Sequence, residues 1–146
     1  MMTSRRRLMM GAGFLLAASP ALGAAPALEV WKNRACGCCS AWARLFEAAG
    51  FAVTIHEVDD VAEARAAAGV PPDLGGCHTA KVEGYVIEGH VPVDAVQRLL
   101  AERPSVKGLS VPGMPVGSPG MEIEGAPADP FEVIAFAADG SRYVFR

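Results

Sequence analysis

The chain has 146 residues, of which 51% are hydrophobic, and its 13 basic and 16 acidic residues give a formal net charge of −3. An acidic chain without a basic stripe is a poor partner for the phosphate backbone of nucleic acids, so a nucleic-acid-binding function is not expected. The part that follows an N-terminal leader, about 120 residues, is long enough for one domain with its own hydrophobic core.

Residues 1–25 have the pattern of a secretory signal peptide. Arg5, Arg6 and Arg7 form a basic segment, the apolar run 8–18 is too short to span a bilayer, and small residues follow it. The basic segment also fits a twin-arginine export signal. We therefore expect a periplasmic protein without a membrane anchor after cleavage. Removal of three of the 13 basic residues leaves ten against 16 acidic ones, a formal charge of −6.

The remaining residues, 26–146, are expected to form a single α/β domain. Apolar periodicity and turn residues predict seven elements: strand 28–32, helix 40–49, strand 51–58, helix 61–68, strands 79–82 and 85–88, and helix 92–103. The resulting order, β-α-β-α-β-β-α, is typical of thioredoxin-like folds, in which helices flank a mixed sheet.

The end of the chain has a different composition. Residues 104–130 contain six prolines and five glycines with little periodicity, which predicts a long irregular loop. Such loops in small domains are usually functional or disordered, and this one carries Met114 and Met121. Residues 131–146 contain two short apolar runs around an Asp-Gly pair, which predicts a terminal β-hairpin.

All four cysteines lie in two short segments. Cys36, Cys38 and Cys39 belong to a cysteine motif, residues 36–39, that follows the first predicted strand, and Cys77 comes just before the third. In a thioredoxin-like arrangement these two loops are neighbours, so we expect the four thiols to meet although they are far apart in sequence. Four kinds of chemistry are then open: structural disulfides, thiol–disulfide exchange, a zinc site and a copper site.

Structural disulfides and zinc explain the spacing less well than the other two. Export favours disulfides, and a Cys36–Cys39 bridge with a Cys38–Cys77 bridge is a feasible pairing. Such bridging gives no reason for three thiols to be crowded together. Structural zinc sites usually take two Cys-x-x-Cys-type pairs, whereas the spacing here is three and one, with two ligands adjacent.

Redox chemistry and copper binding both fit the cysteine motif. Cys36 and Cys39 form a Cys-x-x-Cys pair where thioredoxins carry theirs, and the N-terminus of the following helix would lower a thiol pKa there. Thioredoxins place a proline opposite that motif, whereas this chain has Cys77 followed by His78. Cu(I) is a soft ion that thiolates bridge readily, so clustered thiols favour a multinuclear copper site. A periplasmic thiol–disulfide oxidoreductase is the alternative.

Five blocks of sequence occur together in this chain: 36–39 (Cys-Gly-Cys-Cys), 69–72 (Gly-Val-Pro-Pro), 77–80 (Cys-His-Thr-Ala), 84–92 and 111–122. In combination they resemble the CopG-like copper-resistance family, a domain-of-unknown-function family of exported, thioredoxin-like metal-binding proteins. The resemblance extends over essentially the whole of residues 28–146. It implies copper binding through Cys36, Cys38, Cys39 and Cys77, with redox interconversion of Cu(I) and Cu(II) as an enzymatic role.

Four other residues form a second tier of candidate copper contacts. His78 adjoins Cys77, His90 precedes the third helix, and Met114 and Met121 offer thioether sulfur, a good ligand for Cu(I). The expected function is therefore copper binding for resistance or homeostasis, with more than one copper ion per chain. The expected partners are copper ions and other periplasmic copper-handling or redox proteins.

Overall fold

A computed structural model describes residues 23–146, so the first 22 residues of the predicted signal peptide lie outside the described part of the chain. The described residues form a seven-stranded sheet with three α-helices, which confirms the predicted α/β class. None of these helices is both long and apolar enough to cross a membrane. The elements are β1 (Ala27–Asn33), α1 (Gly37–Ala48), β2 (Ala52–Val58), α2 (Val61–Ala68), a 3-10 turn (Pro72–Leu74), β3 (Thr79–Val82), β4 (Tyr85–Glu88), α3 (Val93–Glu102), β5 (Gly108–Ser110), β6 (Ile134–Phe136) and β7 (Arg142–Val144).

The strands are arranged in the order β2-β1-β3-β4-β5-β6-β7. β1 pairs parallel with β2 and antiparallel with β3, with Trp31 opposite Thr79. Because β1 and β3 run in opposite directions, the end of β1 and the start of β3 lie at the same edge of the sheet. The segments that carry the cysteines therefore emerge side by side. The order of the first seven predicted elements is observed, while the thioredoxin-like assignment stays a prediction.

The first helix begins three residues earlier than predicted. α1 starts at Gly37 and not at Ser40, so Cys38 and Cys39 lie in its first turn. Cys36 is the N-cap, and its sulfur accepts a hydrogen bond from the backbone N–H of Cys39. Cysteine is not among the residues that usually mark an N-cap, which is why the sequence pattern placed the boundary too late.

The segment predicted as an irregular loop, 104–130, contains a strand. β5 pairs parallel with β4 and antiparallel with β6, and it thereby joins the terminal hairpin to the rest of the sheet. A Cβ atom on Gly108 would lie only 1.9 Å from the carbonyl oxygen of Val86, so the close approach of β5 to β4 requires glycine at this position. A three-residue strand that begins with glycine has too little periodicity to be recognised. The terminal hairpin itself, β6 and β7, is confirmed.

The hydrophobic core lies between α1, α3 and the sheet. Trp42 and Phe46 of α1 are fully buried against each other, with ring centroids 4.3 Å apart. The indole N–H of Trp42 donates a 2.8 Å hydrogen bond to the carbonyl oxygen of Val91, just before α3. These contacts fix α1, and with it the three cysteines at its N-terminus, on the sheet.

Candidate metal centre

The four cysteine sulfurs form one cluster at the edge of the sheet. The Sγ atom of Cys77 lies 3.1 Å from that of Cys36, 3.2 Å from that of Cys39 and 3.5 Å from that of Cys38. All four sulfurs lie within 4.8 Å of one another. The two cysteine segments thus meet in space, as the order of the strands predicts, and Cys77 is the common neighbour of the other three.

The N-terminus of α1 positions three of these sulfurs. The backbone N–H of Cys36 donates to the carbonyl oxygen of Asn33 at 3.0 Å, which closes the turn after β1. Cys38 and Cys39 follow in the first helical turn, where backbone N–H groups have no partner within the helix and the helix dipole is positive. An anionic sulfur, or a cluster of several, is electrostatically favoured at this end of a helix.

Cys36 and Cys39 are joined by a disulfide, whereas Cys38 and Cys77 are free, partly exposed thiols. In this form only two of the four sulfurs can act as thiolates. Reduction of the bridge with two electrons and two protons gives four thiols, and their deprotonation gives the full ligand set. The structure therefore shows an oxidised form of a site that can offer four thiolates to a soft metal once it is reduced.

The surroundings of Cys77 disfavour a bare thiolate. Burial, together with the hydrogen bond and charge of Cys38, raises the pKa of the Cys77 thiol to about 12, although Arg65 acts in the opposite direction. Without a bound cation, Cys77 is therefore a protonated thiol at neutral pH. A soft cation that replaces the proton removes this penalty, so binding of a metal must release protons.

His78 and His90 lie in the interior next to the cysteine cluster. His78 is fully buried, its ring packs against that of Trp42 at 4.2 Å between centroids, and burial lowers its pKa to about 3. His90 lies 5.1 Å from His78 between centroids, and its Nδ1 donates to the carbonyl oxygen of Pro119 at 2.7 Å. Among the described residues, neither nitrogen of His78 nor Nε2 of His90 has a hydrogen-bond partner. Burial lowers the pKa of His90 as well, although its hydrogen bond to Pro119 opposes the shift. Contact of either histidine with copper stays a prediction.

The methionine loop, residues 113–121, contacts both cysteine segments, one at each of its ends. At one end, the backbone N–H of Gly113 donates to the carbonyl oxygen of Gly75, two residues before Cys77. At the other end, Gly120 packs so closely on α1 that a Cβ atom there would lie 2.8 Å from the carbonyl oxygen of Cys38. Met114, between these two points, is 55% exposed. Its contact with copper, and that of Met121, remain predictions.

Two functional candidates, Arg65 and Glu88, were not identified in the sequence. Glu88 is fully buried at the end of β4, where it receives hydrogen bonds from Arg65 and from the segment that precedes Cys77. The one signal in the sequence is a carboxylate at the end of an otherwise apolar run, Tyr-Val-Ile-Glu, at 85–88. Arg65 gives no signal of its own, because it lies in an alanine-rich helix that is separate in sequence from both cysteine segments.

Known proteins resemble this chain in sequence and in structure. A family described as "Protein of unknown function, DUF411" matches residues 74–121. A solved structure named copper resistance protein CopG, form 2, is 40% identical, covers 84% of this chain and 97% of its own, and superposes with a TM-score of 0.79. This chain belongs to the CopG copper-resistance family. Form 1 of CopG is 41% identical, covers 82% of this chain and 94% of its own, and has a TM-score of 0.77. No curated protein matches the chain.

Membership of the CopG family confirms the resemblance found in the sequence blocks. The matched segment, 74–121, contains Cys77, both buried histidines and the methionine loop. The cluster and the copper-resistance neighbours together support a copper-related function for this chain.

Alkylation of Cys77 tests the electrostatics of the metal-free site. With the Cys36–Cys39 bridge intact, labelling of Cys77 by iodoacetamide should be slow at neutral pH and should keep accelerating throughout the alkaline range. The reason is that the reagent needs the thiolate, whose formation burial and Cys38 oppose. Mass spectrometry of the Cys77 peptide at a series of pH values gives the rates.

The variant Cys38→Ser is the matched control, because it removes one cause of the shift and leaves the burial. Its Cys77 should react faster at neutral pH. A labelling profile of the unaltered protein that levels off near the pKa of a free thiol, about 8.5, would contradict this account of the site.

Proposed function

We propose that this protein binds copper in a multinuclear copper–thiolate cluster through Cys36, Cys38, Cys39 and Cys77, as part of periplasmic copper resistance. The observation that carries the proposal is the convergence of the four sulfurs to within 4.8 Å of one another. The structural neighbours named copper resistance protein CopG support copper as the metal. The predicted signal peptide supports the periplasmic location.

The arrangement of the sulfurs favours several ions over one. Cys38 and Cys39 are consecutive residues of a helical turn, so their side chains point in directions about 100° apart. Cys39 is fully buried while Cys38 is partly exposed, as expected for such divergence. Two diverging thiolates serve one ion poorly, whereas they can each bind a different ion. Cys77, within 3.5 Å of all three other sulfurs, is then in the position to bridge the ions.

A redox role for copper is part of the proposal, and the Cys36–Cys39 bridge supports it. If two Cu(II) ions each take one electron from the thiolates of Cys36 and Cys39, the products are two Cu(I) ions and one disulfide. The same bond, reduced by an external dithiol, regenerates the two thiolates. In this scheme the oxidised form described here is the product of copper reduction.

Replacement of Cys77 tests whether the two cysteine segments act as one site. Because Cys77 is the common neighbour of the other sulfurs, Cys77→Ser should lower both the number of bound Cu(I) ions and their affinity as much as Cys36→Ser does. Titration of the reduced variants with Cu(I) against a competing chelator measures both quantities. An unchanged copper number in Cys77→Ser would confine the site to residues 36–39 and overturn the proposal.

A thiol–disulfide oxidoreductase is the second candidate, and the bridged Cys-x-x-Cys pair at the N-terminus of α1 favours it. We expect little reduction of insulin by the metal-free protein with dithiothreitol as reductant. The third and fourth thiols are close enough to attack a mixed disulfide on Cys36 internally, before a protein substrate turns over. Added copper should reduce this activity further, because it occupies the nucleophile. Robust turnover that copper does not affect would favour the oxidoreductase instead.

A further inference from the structure

A buried carboxylate receives hydrogen bonds from the segment that precedes Cys77. Glu88 is fully buried, although glutamate is rarely so unless it is paired. Its Oε1 accepts a hydrogen bond from the backbone N–H of Gly76 at 2.7 Å and another from Nε of Arg65 at 2.7 Å. Its Oε2 accepts from the hydroxyl of Thr79 at 2.6 Å. Glu88 therefore binds the chain on both sides of Cys77, at Gly76 within the Cys77 loop (residues 75–78) and at Thr79 just after it.

Arg65 binds the other polar backbone group of the same residue, Gly76. Its Nη2 donates to the carbonyl oxygen of Gly76 at 2.6 Å, while its Nε is paired with Glu88. The pair thus holds both the N–H and the C=O of Gly76, the residue immediately before Cys77. Arg65 is only 23% exposed and Glu88 not at all, so solvent and salt screen these charge-assisted bonds little.

Backbone packing and further hydrogen bonds fix the rest of the Cys77 loop. A Cβ atom on Gly76 would lie 2.5 Å from the Cα atom of Gly89, so the two backbones touch. Three hydrogen bonds tie the neighbouring carbonyls: Ser110 Oγ to Leu74 O at 2.6 Å, Gly113 N to Gly75 O at 3.0 Å, and Gly89 N to His78 O at 2.9 Å. The backbone around Cys77 therefore has little freedom to move its sulfur.

We propose that Arg65 and Glu88 are positioning residues that hold Cys77 against the cysteine motif and thereby set the geometry of the copper site. This inference rests on the proposed function, since it concerns the same four sulfurs. Neither side chain supplies a ligand; Glu88 acts through the N–H of Gly76 and Arg65 through its C=O. A buried ion pair has a large desolvation cost, and replacement by apolar residues is often neutral for stability, so stability alone is a weak reason for its presence.

Arg65→Met tests the proposal in two backgrounds, the unaltered protein and Cys77→Ser. In the unaltered protein, Cu(I) affinity should fall about tenfold or more, the range found when residues that orient metal ligands are replaced. In Cys77→Ser the same change should have no further effect, because the ligand that Arg65 positions is already absent. Copper X-ray absorption should show fewer sulfur neighbours per copper in Arg65→Met. Circular dichroism checks that each variant is folded.

Arg103→Met is the matched control, because it removes a guanidinium from an exposed ion pair with Glu83 and should leave Cu(I) affinity unchanged. If Arg65→Met does not fold, Arg65→Lys replaces it: the ammonium keeps the charge but lacks the planar two-donor geometry, so an intermediate loss is expected. An equal loss in both backgrounds, or no loss in the unaltered protein, would overturn the positioning role.

A measurement without copper separates this inference from the proposed function. The sulfurs of Cys38 and Cys77 lie 3.5 Å apart, so diamide should join them as a disulfide in the metal-free protein while the Cys36–Cys39 bridge is intact. This oxidation should be slower in Arg65→Met and also in Arg65→Lys, which keeps the charge near Cys77, and it should be unchanged in Arg103→Met. A slower rate in a protein that binds no Cu(I) would support the positioning role and reject the copper function. An unchanged rate in Arg65→Met would reject the positioning role whatever the copper result.

Discussion

The antiparallel pairing of β1 with β3 is the constraint on which the cysteine site depends. With Trp31 opposite Thr79, the chain leaves β1 and enters β3 at the same edge of the sheet, and the cysteine motif and Cys77 face each other there. Contacts with the rest of the fold hold each of these two segments in place. The core contacts of Trp42 fix α1, and the Arg65–Glu88 pair fixes the backbone of Gly76, just before Cys77. The rest of the fold therefore holds the backbone that carries the sulfurs, without a contribution from a metal.

The site combines two properties that oppose each other until a metal binds. The helix N-terminus favours negative charge on the cysteine motif, whereas burial raises the pKa of Cys77 to about 12 and keeps its proton in place. Burial lowers the pKa of both His78 and His90 and so disfavours a compensating positive charge on either imidazole. A soft monovalent cation satisfies both conditions, since it neutralises several thiolates at once and needs few ligands. Copper affinity should therefore depend on both the redox state and the protonation of the four sulfurs.

Much of the fold could be predicted from the sequence because its signals are local. Apolar periodicity located the first four strands and three helices, and the placement of the cysteines beside β1 and β3 was enough to predict that they meet. The boundary of α1 was wrong because a cysteine sulfur acts as its N-cap. β5 was missed because glycine at position 108 is required by the close approach of Val86, a long-range contact that leaves no local pattern in the sequence. For the same reason nothing in the sequence relates Arg65 to Cys77: their connection runs through a hydrogen bond to the peptide of Gly76.

If the four converging sulfurs hold a copper cluster, the copper content of the reduced protein shows it most directly. The protein is fully reduced, transferred to anaerobic buffer and titrated with Cu(I) in the presence of a chelator that competes for the ion. Because adjacent thiolates on α1 diverge and Cys77 lies next to all of them, we expect an end point above one copper ion per chain. A sharp end point at one equivalent, or no binding at all, would contradict the cluster.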